Sequence, residues 1–461
     1  MTQMIPLEDY VTQVLEPLSP LEGGRLALGQ AHGRVLAEDV TAVVPVPPWT
    51  NSAMDGYAVR AEDTTGAGPQ TPVVLPVSGD VPAGTAPHPL TAGTAQRIMT
   101  GAMLPEGADA VVKVEDTDQA PGPHPIPERV EIHAAVSPGL SVRRAGEDVT
   151  AGDPVMASGT RLSAAAVSAL ASVGLGSVLV SPQVRVAVVS TGAELRDAGQ
   201  ALEPGTIPDS NSLLLAGLVA EQGAVCTSMA RSGDTAEALA EVLQQAAAGA
   251  DLIVTSGGVS AGAFDPLTML AHADQHEGAP VHLDFVKVAM QPGKPQGHGW
   301  VLADDGRRVP IICLPGNPVS VLVSFTTIVA PALARLSGQE MGHGGTESLP
   351  GRPRLTARAA LGWQTPPGRR QHVPVRFTEP PTELVAGSVT GADAGDRIGA
   401  PSGPDAAPDT GASWVTPTHR LGSGSHLVAS LPAAQALAVV AAEVEAVEVG
   451  DELPLIPLSA S

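Results

Sequence analysis

Three apolar runs, each leading into a turn that contains glycine, constrain the fold of this chain more than any other feature of its sequence. They are VRVAVVST at 184–191, ADLIVTSGG at 250–258 and VPIICLPGNP at 309–318. Such runs are typical of strands buried on both faces of a parallel sheet. The segments between them, such as NSLLLAGLVAEQG and TAEALAEVLQQAAAG, have the apolar spacing of helices. This alternation predicts an α/β domain over 178–335, with helices on both faces of the sheet.

The rest of the 461 residues has other patterns, which predict further domains. Residues 1–45 and 146–177 are interpreted as a mainly helical segment, and residues 46–145 as a small β domain, because the latter contain many prolines and short β-rich runs. Residues 350–461 predict a C-terminal β-rich domain, with a mobile insertion at 385–412. The predicted fold class is multidomain α/β plus β, with a central parallel-sheet domain flanked by β domains and a small helical segment.

The charge and the two cysteines exclude several classes of function. The net charge is −23, so neither nucleic acid nor an anionic membrane is an expected partner. Cys226 and Cys313 are the only cysteines, and no metal site can be built from them alone. The N-terminal MTQMIPLEDY lacks the basic and apolar regions of a signal peptide, and no apolar run is interpreted as long enough to span a bilayer. We therefore expect a cytoplasmic protein.

The three glycine-containing turns predict an anion-binding site in the α/β domain. In open parallel sheets, ligands bind beyond the carboxyl ends of the strands. Glycine allows backbone N–H groups to approach a phosphate closely, and a following helix N-terminus favours an anion. A single glycine turn is more often only a turn, but three at one sheet edge favour a site. The candidate binding residues are Ser190, Thr191, Gly192, Asp209, Asn211, Ser256, Gly257, Gly258, Ser260, Gly262, Pro315, Gly316, Asn317 and Pro318.

Acidic residues beside these turns indicate a divalent cation. Glu194, Asp209, Asp234 and Asp265 lie near the predicted anion site. Carboxylates repel phosphates unless a cation lies between them, and Mg²⁺ typically binds one or two carboxylates together with phosphate oxygens. For Asp209 the alternative is a structural one, because it precedes a predicted helix and could cap it.

The lysines suggest a second anion contact. Of 25 basic residues only Lys113, Lys287 and Lys294 are lysines, and the last two share the segment VKVAMQPGKP. One interpretation is chance clustering. The other is that a compact ammonium group is needed there, for which a planar guanidinium is a poor substitute.

A set of ordered motifs resembles the molybdopterin molybdenumtransferase family, which includes the bacterial MoeA proteins and the E domain of gephyrin. The motifs are NSAMDGYAVR, RIMTGAMLPEGADAVVKVED, RRAGEDV, VSTGAEL, IPDSN, SGGVSAGAFD, VKVAMQPGKP and LPGNPVS, within about 45–330, followed by GSGSH at 422–426. The polar density of NSAMDGYAVR exceeds what a domain-linking turn with a packed aromatic needs. So many motifs in family order make a chance match very improbable.

The resemblance implies an elongated four-part subunit, usually a homodimer, whose α/β domain binds molybdopterin. It implies that molybdate is inserted into adenylylated molybdopterin with release of AMP and assistance from Mg²⁺. It also implies transient contacts with the molybdopterin adenylyltransferase and with molybdoenzyme chaperones. The adenylyltransferase and a non-catalytic scaffold are the alternative functions, and a paralogue that handles tungstate is a third.

The resemblance also assigns roles to particular residues. Asp55 and Thr100 lie far in sequence from the sheet, so we expect a second subunit to contribute them. Arg369 and Ser425 match a basic and a hydroxyl position of the oxyanion site, and Asp148 matches an acidic motif position. Gln291 departs from the family, which usually has a lysine there. The expected catalytic residues are Asp55, Thr100, Glu194, Asp234, Asp265, Lys287 and Lys294, with Asp55, Glu194, Asp234 and Asp265 as Mg²⁺ ligands.

Overall fold

The computed structural model describes seven stretches of the chain, and the structural statements below concern these residues. They are 4–233, 235–259, 265–273, 279–339, 355–381, 413–419 and 427–458. The predicted insertion at 385–412 and the candidate residues Asp234, Ser260, Gly262 and Ser425 lie outside them. The predicted domain boundaries stay predictions.

The helices of the described stretches follow the sequence pattern closely. The buried Leu7, Val11 and Val14 share one face of the first helix. The hydroxyl oxygen of Ser163 accepts a hydrogen bond from the backbone N–H of Ala166 at 3.1 Å, so Ser163 is the N-cap predicted for the second helix. The α-helices are α1 (Leu7–Leu15), α2 (Ala164–Ser172), α3 (Asn211–Glu221), α4 (Ala236–Ala248), α5 (Pro266–Ala273), α6 (Pro318–Ser324) and α7 (Ala330–Leu336). Short 3-10 helices lie at Leu28–Gln30, Ala61–Thr64, Val114–Asp116 and Val428–Ala433.

Short strands form most of the ordered structure before residue 181. They are β1 (Gly24–Ala27), β2 (Val40–Thr41), β3 (Asn51–Ser52), β4 (Gly56–Val59), β5 (Val73–Val81), β6 (Ala95–Ile98), β7 (Ala110–Lys113), β8 (Arg129–Ile132), β9 (Val142–Arg143), β10 (Pro154–Met156) and β11 (Ser177–Val180). β1 pairs with β11 and β2 with β10, so the segments 1–45 and 146–177, predicted as mainly helical, contain short strands beside α1 and α2. These strands have two to four residues, which is too short for a readable alternation, and their partners are distant in sequence.

A five-stranded sheet lies within the range predicted as a small β domain. Its order is β7-β4-β6-β5-β8, with β5 and β6 parallel and the other neighbours antiparallel. All of β4 is buried. A Cβ atom on Gly56 would lie 1.9 Å from the carbonyl oxygen of Val112, so the close approach of β4 and β7 requires glycine there. NSAMDGYAVR is therefore two strands, β3 and β4, with Asp55 in the turn between them.

The three predicted buried strands lie side by side in a six-stranded sheet. The strands of this region are β12 (Arg185–Thr191), β13 (Leu195–Arg196), β14 (Ile207–Pro208), β15 (Val225–Ser232), β16 (Leu252–Ser256), β17 (Val281–Lys287), β18 (Met290–Gln291), β19 (Pro295–Leu302) and β20 (Arg308–Leu314). The order is β15-β12-β16-β20-β19-β17. The first four are parallel, while β19 and β17 each run antiparallel to the strand before them in this order. The predicted parallel core is confirmed.

Helices cover both faces of this sheet, as predicted. Val186 and Val188 of β12 share one apolar cluster with Leu215 of α3, whereas Val189 on the other face shares a second cluster with Leu239 of α4. β15, β17 and β19 are strands of this sheet that no sequence pattern predicted. β15 is an edge strand with mostly exposed residues, so it has no apolar run to reveal it.

The longest apolar helix of the described stretches is a core helix. α6 and α7 are joined by a π-helical turn at Phe325–Val329, giving a continuous helix from Pro318 to Leu336. Its 19 residues, with mean hydropathy 1.8, are long and apolar enough to cross a membrane, contrary to the expectation that no run reaches that length. However, 94% of the apolar window is buried inside the protein, which is typical of the central helix of a packed core.

The C-terminal stretches form a closed barrel that packs against the α/β domain. Its strands are β21 (Leu355–Ala359), β22 (Trp363–Gln364), β23 (Arg370–Thr378), β24 (Trp414–Pro417), β25 (Ala436–Val440), β26 (Ala446–Val447) and β27 (Glu452–Pro457). The order is β18-β23-β24-β21-β27-β25, and β25 also pairs with β23, which closes the ring. Leu437, Val439 and Ile456 belong to the same apolar cluster as α1 and the long helix. β18 pairs with β23, so a segment of the α/β domain extends the barrel sheet.

Candidate functional site

A cavity of about 910 Å³ lies at the carboxyl ends of β12, β16 and β20. We call it the sheet cavity. The pairing of Ser190 with Ser256 and of Ser256 with Leu314 places the loops after these strands next to one another. The predicted residues that line it are Thr191, Gly192, Glu194, Asp209, Asn211, Ser256, Gly257, Gly258, Asp265, Pro315, Gly316, Asn317 and Pro318. The structure therefore brings together most of the residues that were predicted to bind a ligand because they lie beyond the carboxyl ends of parallel strands.

The glycines of the second loop are required by its backbone. Gly257 has φ +87° and Gly258 has φ +73°, both in the left-handed region. A Cβ atom on Gly257 would lie 2.7 Å from the carbonyl oxygen of Thr191. A larger residue at position 257 would therefore displace the neighbouring loop. Gly316 differs, because its Cβ would meet only backbone atoms of Gly257 at ordinary distances, the Cα at 3.4 Å and the nitrogen at 3.8 Å.

Asp209 caps a helix, which resolves the alternative left open by its sequence position. Its carboxylate accepts hydrogen bonds from the hydroxyls of Ser190 and Ser212, each at 2.7 Å, and from the backbone N–H of Ser212 at 3.1 Å. Burial alone would raise the pKa of Asp209, but these hydrogen bonds outweigh it and hold that pKa below its usual value. Asp209 is thus an ionised cap of α3 that also borders the sheet cavity, and its role toward a ligand stays a prediction.

Two polar atoms in the sheet cavity have no protein partner in the described structure. The hydroxyl of Ser256, a residue only 2% exposed, has no hydrogen-bond partner. Neither has the side-chain oxygen of Asn211, although the Asn211 amide nitrogen donates to the carbonyl oxygen of Gly316 at 2.7 Å. A buried polar group without a partner is costly, so a ligand that forms hydrogen bonds to these two atoms would be stabilised in the cavity.

The carboxylates suit a cation only if the ligand supplies further oxygens. Glu194, Asp209 and Asp265 all line the sheet cavity. Among the described residues, no group of three or more His, Cys, Asp or Glu side chains is arranged to hold a metal by itself. Mg²⁺ usually binds one or two carboxylates plus water and phosphate oxygens, so this donor set fits that ion when a phosphate is present.

Asp55 and Thr100 form a separate site in the five-stranded sheet domain. Thr100 donates to one carboxylate oxygen of Asp55 from its backbone N–H at 2.6 Å and from its hydroxyl at 2.8 Å. These bonds hold the pKa of Asp55 below its usual value, so it is ionised. Both residues line a cavity of about 620 Å³, the Asp55 cavity, which shares no lining residue with the sheet cavity in the described structure. The fold of one chain therefore does not unite Asp55 with Glu194.

The basic candidates lie at the rim rather than inside. Lys287 and Lys294 are exposed, and neither lines the sheet cavity, although Pro292 and Gly293 between them do. Arg369 donates from Nη1 to the side-chain oxygen of Gln291 at 2.7 Å, and Gln291 lines the cavity.

Several other residues do not fit the prediction that site residues follow the carboxyl ends of parallel strands. Asp148 is exposed in a turn of the N-terminal half, away from the cavity lining. Sequence reasoning missed Gln291, Pro292 and Gly293 as lining residues, because they follow no parallel strand. The signals that point to this segment are its two lysines and its match to the family motif VKVAMQPGKP.

Comparisons with known proteins agree with this arrangement. A family model described as the MoeA N-terminal region (domain I and II) matches residues 5–174, and one described as a probable molybdopterin binding domain matches residues 187–335. Molybdopterin molybdenumtransferase 2 of Mycobacterium tuberculosis is 42% identical over 369 residues, covering 80% of this chain and 86% of that protein. A molybdopterin molybdenumtransferase of Nostoc is 39% identical over 317 residues, covering 68% and 70%.

Solved structures show the same fold along the whole chain. Two structures of the molybdopterin biosynthesis MoeA protein from Pyrococcus horikoshii have TM-scores of 0.72 and 0.73, at 28% and 24% identity. They cover 100% and 98% of this chain and 100% and 99% of their own. The ordered motifs, the cavity that they build and these matches agree, and the chain belongs to the molybdopterin molybdenumtransferase family.

Proposed function

We propose that this enzyme inserts molybdate into adenylylated molybdopterin and releases AMP. The observation that carries the proposal is the sheet cavity, in which three loops at the ends of parallel strands surround the unpartnered hydroxyl of Ser256. In the proposed reaction, the two dithiolene thiols bond to molybdenum as one molybdate oxygen leaves with their protons as water, and a water molecule adds to the phosphoanhydride as AMP leaves. No observation favours the adenylyltransferase or scaffold alternatives.

The residues in and around the sheet cavity have different proposed roles, according to the chemistry of their side chains and backbone groups. The backbone N–H of Gly258 suits a phosphate oxygen, whereas that of Gly257 already donates to the carbonyl oxygen of Leu314 at 3.0 Å. Glu194 and Asp265 would hold Mg²⁺, which would supply positive charge to the phosphates near these carboxylates. Arg369, Lys287 and Lys294 suit the molybdate dianion at the rim. Asp234, Ser260, Gly262 and Ser425 keep their sequence-based assignments as proposals.

We further propose a homodimer in which each reaction site combines the sheet cavity of one subunit with the Asp55 cavity of the other. The two cavities are separate in one chain. Met54 and Met99 line the Asp55 cavity, and Trp49 lies six residues before Asp55 in the sequence. Trp49, Met54 and Met99 are 45%, 42% and 44% exposed. Exposed apolar groups of this size are typical of a contact surface. A cytoplasmic location and transient contacts with the adenylyltransferase and with molybdoenzyme chaperones belong to the same proposal.

Release of AMP from adenylylated molybdopterin tests the reaction and its cation. With Mg²⁺, added molybdate is expected to raise the rate of AMP release by at least about tenfold, and a chelator should abolish it until Mg²⁺ is restored. The measurement is chromatographic quantification of AMP. If molybdate does not change the rate of AMP release, the insertion step is contradicted. If the chelator does not change that rate, the Mg²⁺ assignment is contradicted.

Gly316→Ala tests whether the loops hold the substrate. The added methyl meets only an ordinary contact within the protein, so the fold should be unchanged, while the space beside the ligand shrinks. We expect the dissociation constant of adenylylated molybdopterin to rise roughly tenfold, which corresponds to moderate overpacking. Gly217→Ala is the matched control, because Gly217 lies exposed on α3 with open space around it. Equal affinity in both variants would place the substrate elsewhere.

A further inference from the structure

We infer that Gln291 is a positioning residue that holds the guanidinium of Arg369 at the rim of the sheet cavity, where Arg369 binds the incoming oxyanion. The inference rests on the proposed function, because it takes molybdate as the anion that enters this cavity. It assigns the contact to the side-chain oxygen of Gln291, which accepts from Nη1 of Arg369 at 2.7 Å.

The sheet cavity itself repels a free dianion. Its lining includes the carboxylates of Glu194, Asp209 and Asp265, and none of the described residues that line it is Lys or Arg. The whole chain carries a net charge of −23, so the long-range field adds to the repulsion. An oxyanion that reacts here therefore needs a cation at the edge, and that cation must be held in place.

The backbone fixes Arg369 next to Gln291. β18 and β23 pair in parallel, with Met290 opposite Arg370 and Gln291 opposite Gln371. The backbone N–H of Arg370 also donates to the carbonyl oxygen of Ala289 at 2.9 Å. Arg369 is the residue immediately before this pairing, so its backbone lies next to the segment that contributes Gln291 to the cavity lining. The hydrogen bond to Gln291 then selects one direction for the guanidinium.

In this chain, an amide at position 291 suits the role of holding Arg369. Its oxygen accepts one N–H of the guanidinium without adding charge, so the cation keeps its full charge and four further N–H donors. A carboxylate at 291 would hold Arg369 but neutralise it. An ammonium at 291 would repel Arg369 and could accept no hydrogen bond from it. Lys287 and Lys294 are exposed outside the lining, so they add to the local field without replacing this contact.

A double-mutant cycle on the full-length protein tests the coupling, with isothermal titration of molybdate in the absence of pterin as the readout. Gln291→Met keeps the side-chain length but removes the acceptor, and we expect the molybdate Kd to rise about tenfold. Arg369→Met should raise it about a hundredfold. Because Gln291 acts through Arg369, the double variant should bind no more weakly than Arg369→Met alone. Arg358→Met, which removes an exposed arginine from the same barrel, is the control and should match the parent.

Further variants and steady-state kinetics separate positioning from a general structural role. Gln291→Lys and Gln291→Glu should both weaken molybdate binding, although they change the charge in opposite directions. In AMP release, Gln291→Met should raise the KM for molybdate about tenfold with little change in kcat or in the KM for adenylylated molybdopterin.

Three results would overturn the inference. They are additive losses in the double variant, tighter molybdate binding by Gln291→Lys, and the absence of molybdate binding by the parent protein. If the parent binds molybdate but molybdate does not stimulate AMP release, the proposed function fails. The double-mutant cycle then still shows whether Gln291 acts through Arg369 in molybdate binding.

Discussion

A mixture of dimers formed from Asp55→Asn chains and Glu194→Gln chains is expected to recover about a quarter of the parental rate of AMP release, although each variant alone should lose about a thousandfold. Both substitutions keep the shape of the side chain and remove its charge. Asp55 and Glu194 line separate cavities of one chain, so a site shared between subunits has one of them from each. Random pairing makes about half of the dimers mixed, and each mixed dimer has one intact site of two.

A mixture of Asp55→Asn with Thr100→Ala chains is the matched control. Thr100 donates two hydrogen bonds to Asp55, so both substitutions damage the same half of the site. Every dimer of this mixture then contains only damaged sites, and no recovery is expected. Recovery in the control mixture, or full activity of a monomeric form, would contradict a reaction site shared between subunits.

The central sheet could be predicted because its signal is local. β12, β16 and β20 are apolar throughout, and their carboxyl ends meet at one edge by the rules of parallel sheets. The residues that follow them therefore could be placed in one cavity without any knowledge of side-chain positions. Conversely, β15 is an exposed edge strand, and β1 and β2 are too short to show a period, so tertiary pairing alone defines them.

The site could be predicted only where its residues follow the carboxyl ends of parallel strands. Nothing in the sequence shows that Arg369 reaches Gln291, because their contact depends on the pairing of β18 with β23 across 78 positions of the chain. Asp55 and Thr100 are 45 positions apart, and their hydrogen bonds arise from the turn before β4. The motif resemblance selected Asp55, Thr100 and Arg369 without placing them, and only the fold shows that Asp55 and Thr100 line one cavity while Arg369 contacts a lining residue of the other.

His372 makes the barrel sensitive to acid, because it is buried in a neutral form. It lies in β23, opposite Val439, and only 1% of its surface is exposed. Burial, with a smaller contribution from the charge of Arg370, lowers the pKa of His372 from 6.5 to about 3. Arg370 forms an ion pair with Glu8 of α1, which ties the same strand to the N-terminus.

The sign of the effect follows from where the proton binds. Above pH 6.5 His372 is neutral in both states, so its titration does not affect stability. Below pH 6.5, His372 binds a proton in the unfolded chain, whereas in the folded chain it stays neutral down to about pH 3. The free energy of unfolding therefore falls as the pH falls. Between pH 7 and pH 5 the loss from this group is about 2 kcal/mol, since each pH unit below 6.5 contributes about 1.4 kcal/mol.

His372→Leu is therefore expected to reduce the loss of stability between pH 7 and pH 5 by about 2 kcal/mol, measured by urea unfolding at both values. This window excludes Asp55 and Asp209, because their pKa values lie below 3.8 and their protonation begins at lower pH. His298, whose pKa is also lowered by burial, still titrates in the variant and should leave a smaller slope. His32→Gln, at an exposed position, is the control and should retain the full parental slope. If His372→Leu keeps that slope as well, His372 is not buried neutral between the barrel and the α/β domain, and the acid sensitivity lies elsewhere.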